Sequence, residues 1–192
     1  FYSTTFNRYA FVLLFFFSLF TPLVQPLLHP YLSHEFEIAW RYTPFLILST
    51  VFSSIAAFYA GIYAAAKKNI NVMITTLLGA FLNVALNYWL IPHIGVMGAA
   101  VATMLSWGAI FVIRYFDVQH FFSFSIDKKM LALASSLVLA EGILIIYAGD
   151  WGFVISIMII TLLCYVFKNY FKEIKDKVMS ILSNTLTVSD LL

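Results

Sequence analysis

Six apolar runs of membrane-spanning length limit what this chain can become. A helix needs about 20 mainly apolar residues to cross a ~30 Å hydrocarbon core. The runs are Tyr9–His29, Tyr42–Ala65, Ile70–Ile91, Gly95–Phe116, Met130–Ala148 and Trp151–Phe167, the last being the shortest. In lipid, backbone polar groups must bond within their own segment, so all six are expected to be helical. The composition leaves no soluble alternative. Of 192 residues, 62% are hydrophobic and 10% charged, with a mean hydropathy of +0.94, too few charges to keep this much apolar surface in water. The expected class is an all-α integral membrane protein of six transmembrane helices, without internal repeat or soluble domain.

Charge patterning supplies the orientation. Arg8, Lys67, Lys68, Arg114, Lys128, Lys129, Lys168, Lys172, Lys175 and Lys177 fall on one side of a six-span chain. Arg41 alone falls on the other, with Glu35, Glu37 and Asp150. The Lys/Arg-rich side faces the cytoplasm, so both ends are expected there. A net charge of +2 gives no reason to expect a nucleic-acid partner. Cys164 is the one cysteine, which excludes an intrachain disulfide and any Cys-rich metal site. His29 and His34 read as interfacial, with no further pair at ligand spacing, so neither metal nor cofactor is expected.

The connectors Pro92–Ile94 and Gly149–Asp150 are very short, which makes the helices they join antiparallel neighbours. The connector Tyr115–Lys129 carries Phe116, Phe121, Phe122 and Phe124, an aromatic belt at headgroup level, and Asp127 is placed to cap the fifth helix. After the sixth span, Phe167, Phe171, Ile174, Val178 and Leu182 recur at helical spacing between lysines, as in a basic amphipathic helix lying on membrane lipids. Pro22, Pro26 and Pro30 at the outer end of the first span predict a kink; Gln25 and His29 share a face beside it.

Asn83 and Asn87 lie four apart on one helix face. In lipid such amides seek partners across helices, either as packing glue or as the lining of a translocation path. Gly95, Gly98 and Ala102, with Ser106 a turn further on, form a small-residue ridge for close helix approach. Glu141 is the one formal charge deep in a span, ~18 Å along the helix from Lys129 and ~12 Å from Gly149. Placing it there costs roughly 2.5–3.5 kcal/mol on insertion scales, so it is protonated, paired, or turned to water or protein. Its functional reading is proton or cation coupling; its plain reading is a neutral, packed side chain. Arg41, at the mouth of the second span, is suited to phosphate oxygens and equally to pairing with Glu35 or Glu37, the plainer assignment.

The stretch from Asn83 to Thr103 reads N-x-x-L-N-x-x-L-I-P-x-x-G-x-x-G-A-A-x-A-T. In this it resembles the polysaccharide-biosynthesis and O-antigen repeat-unit flippases of the multidrug/oligosaccharidyl-lipid/polysaccharide exporter superfamily. Lys67-Lys68-Asn69 and Leu28-His29-Pro30-Tyr31, with Phe36 and Ala39, fit the same pattern; the resemblance covers residues 9–116. It implies a partial C-terminal lobe of a two-lobed transporter. Residues 1–116 would supply four helices of the second lobe, 117–167 two appended helices, and 168–192 a cytoplasmic tail. The first lobe, a necessary partner, would lie outside this chain, which is expected to be a fragment of something longer or a truncated remnant.

The implied function is translocation of an undecaprenyl-diphosphate-linked oligosaccharide across a bacterial inner membrane, without enzymatic activity. Asn83, Asn87, Arg41 and Gln25 are the substrate-path candidates and Glu141 the ion-coupling candidate. The alternative in the same superfamily is a multidrug or organic-cation exporter, which would place acids in the lobe core. A membrane glycan polymerase would need a large, charged outer loop, and the longest outer connector, Pro30–Arg41, is too short.

Overall fold

A computed structural model describes residues 2–28, 34–122, 125–148, 151–172, 175–176 and 178–179, excepting the side chains at 25, 28, 34–37 and 148. The described residues are helices and short connectors, without a strand. The helices are α1 (Tyr2–Leu28), α2 (Thr43–Ala65), α3 (Asn69–Ile94), α4 (Val96–Gln119), α5 (Lys128–Ala148) and α6 (Gly152–Val166), with a 3-10 segment, His34–Tyr42, leading into α2. Helices α1 to α5 are long and apolar enough to cross a membrane. The protein is therefore an all-helical chain with five membrane-compatible helices. Helix α6 has 15 residues, about 22 Å at 1.5 Å per residue, which is short of the hydrocarbon thickness.

Several boundaries differ from the hydropathy reading, each for a local reason. Helix α1 starts at Tyr2 rather than Tyr9 because its polar first turns bond to the connector between α4 and α5. Ser3 Oγ accepts from the Ser125 amide and Asn7 Oδ1 from the Asp127 amide, both at 3.0 Å. Helix α3 runs through Pro92 to Ile94, so the expected Pro92–Ile94 connector reduces to Gly95. A proline already has helical φ and merely removes one donor. Gly95 makes the turn with φ +59° and ψ −143°, a region that essentially only glycine occupies. Pro22 and Pro26 lie inside α1, which continues helical to Leu28; Pro30, His29 and the connector Gly149–Asp150 lie outside the described residues.

Helices α1, α2, α5 and α6 pack around a common core, α4 lies along α2, and α3 is attached mainly through α4. Phe6 and Leu14 of α1, Val51 and Tyr59 of α2, Met130 of α5 and Leu163 of α6 are buried in that core. Only 11% of the apolar window of α3 is buried, against 39% for α2 and α5. The turns between α2 and α3, α4 and α5, and the segment after α6 gather at one end, here the lysine-rich end. Lys67, with φ 57°, makes the α2–α3 turn, and the Lys68 amide returns to the Tyr63 carbonyl at 2.8 Å, satisfying an otherwise orphaned helix acceptor.

The aromatic residues of the α4–α5 connector pack onto helix ends rather than forming a separate layer. Phe121 lies 5.7 Å from the Tyr63 ring and beneath the Lys68 ammonium, and Phe122 meets Tyr2 edge-on. Phe116 falls within α4 and is exposed, and Phe124 is outside the described residues. Asp127 caps α5, its Oδ1 accepting the Met130 amide at 2.9 Å, and its Oδ2 accepts the Tyr170 hydroxyl at 2.6 Å. After a turn at Phe167, residues 168–172 are helical again. Phe171 packs edge-on against Phe11 and Phe15 of α1, which anchors the start of the tail to the bundle. Ile174, Lys177 and Leu182 of the expected amphipathic face lie outside the described residues.

Candidate functional site

The Gly95 end of α3 carries the amide pair. Asn87 Nδ2 donates to Asn83 Oδ1 at 3.0 Å, as residues one turn apart on a helix can. That bond leaves Asn87 Oδ1 buried and without a donor among the described residues. Around the pair, Phe81, Val84, Tyr88 and Trp89 are exposed, Tyr88 at 86%. An open groove of about 650 Å³ runs beside it, lined by Asn87, Tyr88, Trp89, Pro92 and His93 among others. The His93 ring lies 5.7 Å from that of Trp89, and its Nδ1 reaches the Trp89 carbonyl at 2.7 Å.

The small-residue ridge positions this helix. A Cβ at Gly98 would stand 2.7 Å from the Leu90 carbonyl carbon and 2.8 Å from its oxygen, so α4 touches the backbone of α3 there. Ala102 and Ser106 continue the buried side of α4. Gly79 answers from α3, where a Cβ would meet the Ile110 side chain. Gly95 is not in this seam: a Cβ there would meet nothing within 4 Å, and its contribution is the turn.

The remaining candidates are dispersed. Arg41 is exposed in the 3-10 segment, its guanidinium 5.7 Å from the Trp40 ring centre. The side chains of Glu35, Glu37 and Gln25 lie outside the described residues, so the expected Arg41–Glu pairing and the Gln25 path role do too. Glu141 is fully buried between α1, α5 and α6, away from the amide pair, where Ser18 Oγ donates to its Oε2. No cluster of three or more His, Cys, Asp or Glu suited to a metal occurs among the described residues, and Cys164 is a free, half-buried thiol.

A polar node forms around a side chain near the end of the fourth apolar run. Arg114 counts as a flanking cation in the charge pattern, yet it lies inside α4 and is buried. Its Nε donates to Thr75 Oγ1 at 2.9 Å, Nη1 to the Ala56 carbonyl at 2.7 Å, and Nη2 to Thr76 Oγ1 at 2.9 Å and the Val72 carbonyl at 3.2 Å. One turn on, Asp117 Oδ2 accepts the Tyr63 hydroxyl and Asn71 Nδ2, both at 2.7 Å. This polar node joins α2, α3 and α4 near the lysine-rich end. The signal in the sequence was the run Asn71, Thr75 and Thr76, which offers acceptors on one helical stripe.

No family model, no curated protein and no solved structure matches the chain.

Proposed function

We propose that the chain is the membrane-embedded second half of a transporter that moves a lipid-linked, undecaprenyl-diphosphate-type oligosaccharide repeat unit across a bacterial cytoplasmic membrane. In this reading six helices cross the bilayer, α6 completing its span with flanking residues, and both ends are cytoplasmic. The observation that carries the proposal is the open face of α3. A buried amide oxygen without a donor is costly in lipid, and Asn87 Oδ1 has none among the described residues. Its partner is then water in a hydrated path or a polar group of a second lobe seated opposite.

The chemistry around Asn87 suits a saccharide. Tyr88, Trp89 and His93 line the groove beside an amide, which combines apolar contact area with hydrogen-bonding capacity, as amphipathic ring side chains do elsewhere. A lipid tail remaining in the bilayer while the headgroup crosses such a groove is the physical task of alternating access between two lobes. The motif from Asn83 to Thr103 supports the same assignment. The rigid arm of the lobe is the α2–α3–α4 unit, tied by Arg114 at one end and by the Gly98–Leu90 contact at the other.

The test is genetic. The gene carrying this chain, expressed in a bacterial strain unable to translocate its lipid-linked repeat unit, restores surface glycan. The Asn83→Leu/Asn87→Leu variant, inserted at equal level, does not. Absence of restoration by the native gene, with the protein present in the membrane, would reject the cargo.

A further inference from the structure

Glu141 has surroundings that suit only one protonation state. The carboxyl is fully buried where α1, α5 and α6 meet. The next residue, Gly142, lies so close to Pro44 of α2 that a Cβ there would stand 2.5 Å from the proline ring. Ser18 Oγ donates to Oε2. Ser156 of α6 also faces the carboxyl, but a hydroxyl has one hydrogen, and that of Ser156 goes to the Gly152 carbonyl at 3.1 Å. Among the described residues, Oε1 is buried without a hydrogen-bond partner.

A carboxylate accepts at both oxygens and donates at neither, whereas the neutral acid accepts at one and donates from the other. The Ser18 bond fills the accepting oxygen. A proton on Oε1 turns the unpartnered acceptor into the hydroxyl of a neutral acid, while Oε2 keeps the Ser18 donor. We infer that Glu141 is a proton-binding site, holding its proton on the carboxyl oxygen that Ser18 does not reach, at the junction of α1, α5 and α6. The packed elements bring Ser18 and Thr21 from α1, Pro44 from α2 and Ser156 from α6. Their ionisable groups lie further along: Tyr2, Arg8 and Tyr9 of α1, Tyr59 and Tyr63 of α2, Cys164 and Tyr165 of α6. Arg41 and Tyr42 precede Pro44, Arg41 on the exposed surface. Release of the proton leaves a bare negative charge in the three-helix seam, which a buried site of this kind resists, so proton occupancy and closure of the seam are linked. The site stands independently of the cargo proposed above.

Infrared spectroscopy of the protein in lipid bilayers tests this without any transport assay. At neutral pH the native protein is expected to show the C=O stretch of a protonated carboxylic acid. Glu141→Gln removes it, and alkaline titration abolishes it reversibly. Ser18→Ala retains the band but moves it to higher frequency, because the carbonyl oxygen loses its donor, and this second variant assigns the band if Glu141→Gln does not fold. A native spectrum without that band at neutral pH would overturn the inference, as would a band unmoved by both substitutions.

Discussion

Replacing Arg114 by methionine keeps a long apolar stem in α4 and removes the guanidinium that holds three helices together. All four of its hydrogen bonds cross between helices, one to α2 and three to α3. Interhelical bonds in membrane proteins average roughly 0.6 kcal/mol each, with maxima near 1.7. Four such bonds come to about 2.5 kcal/mol, and a charged donor pushes the value upward. Part of the loss is recovered because Thr75 and Thr76 retain backbone partners in their own helix: Thr75 Oγ1 donates to the Asn71 carbonyl at 2.8 Å and Thr76 Oγ1 to the Val72 carbonyl at 2.7 Å. The expected destabilisation is about 2–4 kcal/mol. Arg114→Lys should lose about half as much, since an ammonium cannot span the same four acceptors from one point. Reversible unfolding in mixed micelles, with the native protein and both variants side by side, measures it. A loss below about 0.5 kcal/mol for the methionine variant would contradict the node's structural role, because it would fall short of even one average bond.

Other consequences follow from the same geometry. Gly98→Ala forces a methyl group against the immovable Leu90 backbone, whereas Gly79→Ala meets the flexible end of Ile110; overpacking of this kind costs roughly 1–3 kcal/mol. Gly98→Ala is therefore expected to lower the melting temperature more, and Ile110→Val to rescue only Gly79→Ala. Asp127→Ala removes the α5 cap and the Tyr170 bond, costing about 1–2 kcal/mol and freeing the segment after α6 to proteolysis. The Tyr170 hydroxyl, followed by the Met130 amide, holds the Asp127 carboxyl below its ordinary range. Its contribution is present above the unfolded value of about 3.9 and disappears as pH falls through the lower folded value; native and Asp127→Asn proteins should therefore converge in stability only in strong acid. For orientation, after Cys164→Ser, single cysteines at Lys67 and Ile94 should react with an impermeant maleimide from opposite faces of the membrane, Ile94 in intact cells and Lys67 in inverted vesicles. Labelling of both from one face would contradict the spanning of α3.

The apolar runs made the helices legible because lipid demands one backbone solution, and runs of about 20 residues leave few alternatives. What hydropathy could not see were polar turns that belong to helices by virtue of their partners. Ser3 and Asn7 extend α1 because Ser125 and Asp127 supply donors across the fold, a relation between residues about 120 apart. Arg114 was legible as a cation near a span's end, but its burial depends on Thr75 and Thr76 lying at matching depth on another helix. Asn83 and Asn87 could be placed on one face from spacing alone; that they bond to each other and leave Asn87 Oδ1 without a donor is a rotamer-level fact. Glu141 was conspicuous as a charge within a span, yet Ser18, which bonds one of its oxygens and leaves the other without a partner among the described residues, comes from a helix over 120 residues earlier. Gly95 and Gly98 look alike in the motif, and only backbone geometry separates a turn residue from a contact residue.

The central claim concerns a lipid-linked saccharide crossing a membrane, and transport in defined vesicles addresses it most directly. The protein encoded by the complete gene would be reconstituted in liposomes carrying a fluorescent, polyprenyl-diphosphate-linked oligosaccharide, and an impermeant quencher added outside. The account predicts time-dependent quenching beyond the fraction seen in protein-free vesicles, and its loss in the Asn83→Leu/Asn87→Leu variant. Quenching identical to protein-free vesicles, from protein shown to be inserted and folded, would contradict it.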